Sequence, residues 1–284
     1  MGVLEVRDAW LTYPGGVEAL RGASLKVASG EVVAVLGPNG SGKTTLLLVA
    51  AGLLEPSRGE VLLDGRPLTG QLPGARRRIG LVFQEPDDQL FNPTVFEEIA
   101  FALRQLGAPE DEVEERVKLV ARELGLEHLL DRTPYTLSAG EKRRVAIASV
   151  LAYEPEFLLF DEPTAYLSVP WKKALESLIS RLRAESKAVA VATHDVAFAA
   201  RIADRVYLLK GGRVLAAGRA KDLLSDERLL AEAGMEPPLP VKIYRRLVGD
   251  GEPPLTLEEL VEALEGYYGR RALESKELKV PKLA

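Results

Sequence analysis

The chain has 284 residues, 46% of them hydrophobic and 28% charged, and a formal net charge of −5. This much apolar material excludes a mainly disordered chain, and the acidic balance argues against a nucleic-acid partner. Cysteine is absent, which removes disulfides, thiolate metal sites and a cysteine nucleophile. No apolar run approaches the ~18–20 residues of a membrane-spanning helix. The start carries Glu5 and Asp8 and lacks the apolar core of a signal peptide, so the expected location is the cytoplasm.

In chain order, Val3–Ala9 and Ser24–Val27 alternate like half-buried antiparallel strands. Glu31–Leu36 is nearly all apolar and β-branched, the pattern of a strand buried on both faces of a parallel sheet. A glycine-rich turn and a helix over Lys43–Ala51 follow at once. Arg78–Phe83, Phe157–Asp161 and Ala188–Thr193 read as further strands. Val206–Leu209 passes through Gly211-Gly212 into Arg213–Ala217 as a hairpin. Phe96–Leu106, Asp111–Leu124 and Glu141–Ala152 are helical with no strong strand signal among them, which predicts a helical insert at about 92–152 within an α/β body. Pro237-Pro238-Leu239-Pro240 marks a boundary. Beyond it the pattern predicts a helix over Val241–Leu247, a loop at Pro253-Pro254 and a helix from Thr256 with Glu259 at capping-box spacing. From Arg270 the sequence is charged and reads as loose. No internal repeat is visible.

The turn Gly37-Pro38-Asn39-Gly40-Ser41-Gly42-Lys43-Thr44 fits G-x-x-x-x-G-K-[ST] between a buried strand and a helix. Its backbone N–H groups can wrap a polyphosphate, Lys43 can reach the terminal phosphate oxygens and the Thr44 hydroxyl can hold Mg²⁺. The helix N-terminus behind it favours an anion. Thr45 belongs to the same cradle. Phe157–Glu162 is an apolar strand ending in two acids. Asp161 is placed to hold the Mg²⁺ shell, and Glu162 to polarise a water.

Leu137-Ser138-Ala139-Gly140-Glu141 resembles the signature sequence L-S-G-G-Q of ATP-binding cassette proteins, with Ala139 and Glu141 as variants. Ser138 and Glu141 also have the spacing of an ordinary capping box, and the two readings are compatible. The other elements of that family follow in its order. Tyr13 matches the aromatic that stacks on adenine, Gln84 the glutamine that touches Mg²⁺ and the attacking water, and His194 the histidine that contacts the γ-phosphate. Phe83–Phe91 and Glu141–Ala148 are similar to the ATPase subunits of energy-coupling factor transporters, which import cobalt, nickel and vitamins.

The resemblance implies an α/β, P-loop NTPase core with an antiparallel β subdomain, the helical insert and a C-terminal helical extension. Residues 1–235 would form the ATPase domain and 236–284 an extension that helps to pair two subunits. It further implies ATP and Mg²⁺ as ligands. Glu162, His194 and Gln84 would be catalytic, Thr44, Gln84 and Asp161 would hold the metal, and Ser138 and Gly140 would serve the nucleotide of a second cassette. The partners would be that second ATPase subunit, identical or paralogous, and transmembrane subunits at the inner face of the cell membrane.

The sequence departs from the pattern in one place. After Glu162 the family reads E-P-T-x-x-L-D, whereas here Tyr166 stands where glycine is common and Ser168 where aspartate is expected. Other cassette classes fit less well. The interval from Gly37 to Ser138 leaves no room for the long coiled coil of DNA-repair cassettes, and the chain has one ATPase unit where ribosomal cassettes have two. A binding-only regulatory cassette is opposed by the presence of Glu162 and His194.

Overall fold

A computed structural model describes residues 2–277. The chain opens with a long hairpin, β1 (Val3–Tyr13) and β2 (Val17–Ala28), in which Tyr13 faces Val17 across Pro14-Gly15-Gly16. β2 begins well before the alternating stretch at Ser24, because Gly22 at φ 80° and register shifts along β1 break the period-two pattern. Next come β3 (Val32–Leu36), α1 (Lys43–Ala50), β4 (Arg58–Leu63), the short β5 (Arg66–Pro67) and β6 (Ile79–Val82). Three helices follow, α2 (Val95–Gln105), α3 (Glu110–Glu123) and α4 (Ala139–Leu151), and then β7 (Phe157–Asp161). The body is completed by α5 (Val169–Ala184), β8 (Ala188–Thr193), α6 (Val196–Ile202), β9 (Arg205–Lys210) and β10 (Arg213–Arg219). Four helices end the described chain, α7 (Ala220–Leu224), α8 (Glu227–Ala233), α9 (Leu239–Leu247) and α10 (Leu257–Glu277).

The strands form two sheets. One is four-stranded in the order β2-β1-β4-β5, with its registered pairs antiparallel. The other is six-stranded in the order β10-β9-β3-β8-β7-β6, parallel except for the β9–β10 hairpin. The central strands bury both faces, which is why their sequences are almost continuously apolar. Phe157 and Leu159 of β7 pack with α1 and the antiparallel sheet, while Leu158 and Phe160 pack with α2–α4. Val33 and Val35 of β3 join the first of these clusters, and Ala34 and Leu36 face α7 and α8. The helical insert has no separate core, since Ile99, Val117 and Ile147 share one cluster with Phe160, Val191 and Ile179.

Side-chain caps place several helix starts. Thr94 Oγ1 accepts from Glu97 N at 3.1 Å before α2, and Asp195 accepts from Phe198 N at 2.9 Å before α6. Ser138 and Glu141 form the reciprocal box that opens α4.

The segment beyond Pro237 folds back on its own chain. Val241 and Leu255 are buried in a third cluster with Leu224, Leu230 and Ala233. On α10, Leu260 is buried, whereas Leu257 and Val261 are exposed. Thr256 accepts from Glu259 N, but the Glu259 carboxylate takes Leu255 N, one residue before the expected capping-box partner. The stretch from Arg270, expected to be loose, continues α10 as far as Glu277. Residues 278–284, the rest of that expectation, lie outside the described residues.

Candidate functional site

Strand register gathers the candidate residues at one edge of the large sheet. Leu36 at the end of β3 is level with Thr193 at the end of β8, Asp161 of β7 is level with Ala192, and Val82 of β6 is level with Phe160. The chain therefore leaves the sheet side by side at Gly37, His194, Glu162 and Gln84. Carboxyl ends of parallel strands are where open α/β sheets bind ligands.

The turn after β3 is too tight for side chains at its two ends. A Cβ on Gly37 would lie 2.2 Å from the Leu209 carbonyl oxygen, and one on Gly42 2.5 Å from that of Ala19. Gly42 also adopts φ 104° as the N-cap of α1. Lys43 is buried and donates from Nζ to the carbonyls of Gly37 at 2.9 Å and Pro38 at 3.2 Å, so its ammonium lies inside the turn. Ser41 Oγ is buried with no hydrogen-bond partner among the described residues. The cradle thus presents a cation, a free hydroxyl and a helix N-terminus to one space, the chemistry of a phosphate site.

Two carboxylates end β7. Asp161 is 2% exposed, and burial pushes its carboxyl above the usual carboxylate range, against the pull of the Thr44 hydroxyl, Lys43 and Arg143. Its Oδ1 has no hydrogen-bond partner among the described residues. An orphaned buried carboxylate oxygen beside a threonine hydroxyl is costly as it stands, and it fits a hard cation with oxygen ligands such as Mg²⁺.

Glu162 turns the chain in the left-handed region, at φ 44°, while its N–H stays bonded to the Ala192 carbonyl. Such strain at a non-glycine residue clusters at functional sites. Its Oε1 lies 2.9 Å from His194 Nδ1 and 3.6 Å from Lys43 Nζ. Oε2 accepts from Thr193 Oγ1 at 3.0 Å. Thr193 Oγ1 in turn accepts from Asp195 N at 3.0 Å. The carboxylate is thereby held between a buried cation, a hydroxyl and an exposed imidazole.

The remaining candidates lie at different distances from this centre. The Tyr13 hydroxyl is 3.2 Å from Thr45 Oγ1, which ties the end of β1 to α1. Gln84 is exposed just past β6, and its carbonyl accepts from Arg143. Ser138 and Gly140 are not drawn to the cradle. Ser138 bonds Glu141 through both its N–H and its hydroxyl, and a Cβ on Gly140 would meet the Tyr166 carbonyl at 3.2 Å. Ser168 is the N-cap of α5 but makes no side-chain cap bond.

Sequence reasoning missed two residues here. Thr193 orients Glu162, and its signal was a hydroxyl at the end of an all-apolar strand, directly before His194. Arg143 is fully buried and donates to the Phe83 carbonyl at 2.6 Å as well as to that of Gln84. Burial pulls its guanidinium below the usual arginine range, and the nearby carboxylates of Glu85, Asp161 and Glu162 oppose that shift. Nothing in the local pattern of α4 distinguishes Arg143 from a surface arginine.

A parallel sheet whose first turn is a glycine-bounded lysine cradle, facing two strand-end acids, defines a P-loop nucleotide-binding protein. The ABC transporter family model matches residues 20–165. The chain is 49% identical over 245 residues to the cobalt import ATP-binding protein CbiO of Rhodobacter capsulatus, covering 85% of this chain and 87% of that protein. It is 41% identical over 268 residues to the energy-coupling factor transporter ATP-binding protein EcfA of Methanothermobacter thermautotrophicus, covering 92% and 86%. Among solved structures, CbiO1 of Clostridium perfringens, part of the transporter complex CbiONQ, is 36% identical with a TM-score of 0.69, covering 81% of this chain and 94% of that one. A dimeric bacterial ABC transporter cassette is 31% identical with a TM-score of 0.71, covering 76% and 98%. The chain belongs to the ABC transporter family, among its ATP-binding proteins.

Proposed function

We propose that this chain is the ATP-hydrolysing subunit of an energy-coupling factor type importer, whose cargo is cobalt, nickel or a vitamin. The observation that carries this is the Glu162 carboxylate, buried and held by Thr193, His194 and Lys43 beside the phosphate cradle. The importer class rests on the names of the relatives. Gly37 through Thr45 bind the phosphates of ATP, and Tyr13 lies beside the base. Thr44, Asp161 and Gln84 hold Mg²⁺, which neutralises phosphate charge when bound.

Glu162 accepts the proton of the attacking water, with Thr193 fixing the direction of its Oε2 and His194 bonding Oε1 before nucleotide arrives. His194, 64% exposed at its side chain, is free to turn toward the γ-phosphate. Among the described residues Ser138 bonds Glu141 and not its own cradle, which suits a role at the nucleotide of a second subunit. Two such chains, identical or paralogous, then enclose two ATP molecules and favour the closed pair through phosphate contacts that hydrolysis removes. Residues 236–284 assist the pairing, with Leu257 and Val261 on the exposed side of α10.

No helix among the described residues is long and apolar enough to cross a membrane. The subunit acts at the inner face of the membrane on transmembrane partners. The test is expression together with transmembrane subunits of an energy-coupling factor importer. The chain should co-purify with them and drive metal or vitamin uptake that is lost in Glu162→Gln. Uptake equal to the parent in that variant overturns the reading.

A further inference from the structure

We propose that Tyr166 is a positioning residue for hydrolysis, a hook that ties the loop after Glu162 to the turn carrying Gln84. This rests on the reading that Gln84 and Glu162 act in hydrolysis. Three observations carry it.

First, the turn that holds Gln84 is anchored to α4 at several points. Arg143 donates to the carbonyls of Phe83 and Gln84. Gln89 accepts from Phe83 N at 3.2 Å and donates to the Ala146 carbonyl at 2.9 Å. Lys142 pairs with Asp87 at 2.6 Å. From the loop after Glu162, the Tyr166 hydroxyl reaches Glu85, at 3.3 and 3.5 Å from its two carboxylate oxygens. That is the one side-chain bond to this turn from the loop between β7 and α5, among the described residues.

Second, the geometry is held at a cost. Tyr166 sits at φ 65°, a region that bulky residues avoid and glycine enters freely. The residue is 57% exposed, so burial does not repay the strain. The hydroxyl contact with the Glu85 carboxylate, at 3.3 Å, is the polar contact that this conformation makes available.

Third, the two ends of the bond lie next to chemistry. Glu85 adjoins Gln84, and Tyr166 lies between Glu162 and Ser168 on one short loop. Fixing Glu85 fixes the backbone from which the Gln84 side chain extends. A shift of that backbone by a fraction of an ångström moves Gln84 relative to Glu162 without disturbing Lys43 or Thr44. The expected signature is a loss in kcat with the KM for ATP unchanged.

Steady-state ATP hydrolysis by the full-length chain tests this, with Tyr166→Phe, Glu85→Gln, their double variant and Tyr166→Gly. Each of the first two should lower kcat by roughly three- to tenfold, the range of one hydrogen bond of ordinary net strength, and leave KM within about twofold. The double variant should be no slower than the slower single one. Tyr166→Gly should lose the same activity while its Tm stays at or above that of the parent, because glycine relieves the left-handed strain. Parental kcat in Tyr166→Phe, losses that multiply in the double variant, or a KM that rises in step overturns the hook. Glu162→Gln separates the two levels: hydrolysis lost there but unchanged in Tyr166→Phe overturns the hook alone, whereas hydrolysis kept there overturns the catalytic reading and the hook with it.

Discussion

Lys43, at the start of α1, and Glu162, just past β7, face each other with Nζ 3.6 Å from Oε1, and their side chains are only 6% and 8% exposed. A buried pair of this kind contributes little net stability, because desolvation offsets the attraction. Its value is positional. The phosphate-binding cation and the water-activating carboxylate share one dry space, so a phosphate drawn to Lys43 arrives next to Glu162. Glu162→Gln keeps the shape and the hydrogen bond from Thr193 but removes the base. Turnover should fall by about 10²–10⁴-fold while ATP binding, measured by equilibrium dialysis, persists. Lys43→Ala should instead weaken ATP binding by about ten- to hundredfold. Equal affinity in Lys43→Ala would contradict the placement of its ammonium in the cradle.

Asp161 links function to stability with a definite sign. Its folded carboxyl is raised above the ordinary value of 3.8 by burial. The folded state therefore holds that proton to higher pH than the unfolded chain does, and ionisation costs stability above the raised value. As pH falls through the raised value the cost fades, and below 3.8 it is gone. Asp161→Asn should thus stabilise the nucleotide-free protein at pH 7 by about 1–2 kcal/mol. The advantage should shrink as thermal melts are taken to lower pH, and ATP hydrolysis should be lost. A variant less stable than the parent at pH 7 would refute the sign.

Thr193→Val keeps the volume of the side chain and removes the hydroxyl that donates to Glu162 and accepts from Asp195 N. One buried and one part-buried group lose a partner, and stability should drop by about 1–3 kcal/mol. The kcat for ATP hydrolysis should fall more than the affinity for ATP, since Glu162 loses its orientation and the cradle does not. A parallel loss of both would assign Thr193 a purely structural role.

Truncation after Gly234 removes Val241 and Leu255 from the cluster they share with Leu224, Leu230 and Ala233. Burying one aliphatic side chain of that size contributes about 1.5–3 kcal/mol, so the midpoint of urea unfolding should fall clearly. Sedimentation of the same two proteins reports pairing separately. An unchanged midpoint would mean that the extension adds nothing to the fold of the cassette.

The chemistry of this chain is written locally. The lysine cradle, the two acids after Phe160, and His194 before α6 are legible because each is a short motif attached to a buried strand, and an apolar run of five or six residues announces that strand. The antiparallel hairpin was legible only in part, because Gly22 and the register shifts interrupt the alternation that reveals a strand. What tertiary structure decided are the pairings across long separations. Glu162 meets Thr193 and His194 only because β7 and β8 are neighbours in register. Arg143 reaches Gln84 only because α4 packs over the end of β6. Val241 is buried only because the chain after Gly234 turns back onto α7 and α8. Local propensity carries no record of strand order or of which helix covers which strand end. Those follow from burying the apolar faces of the whole chain at once.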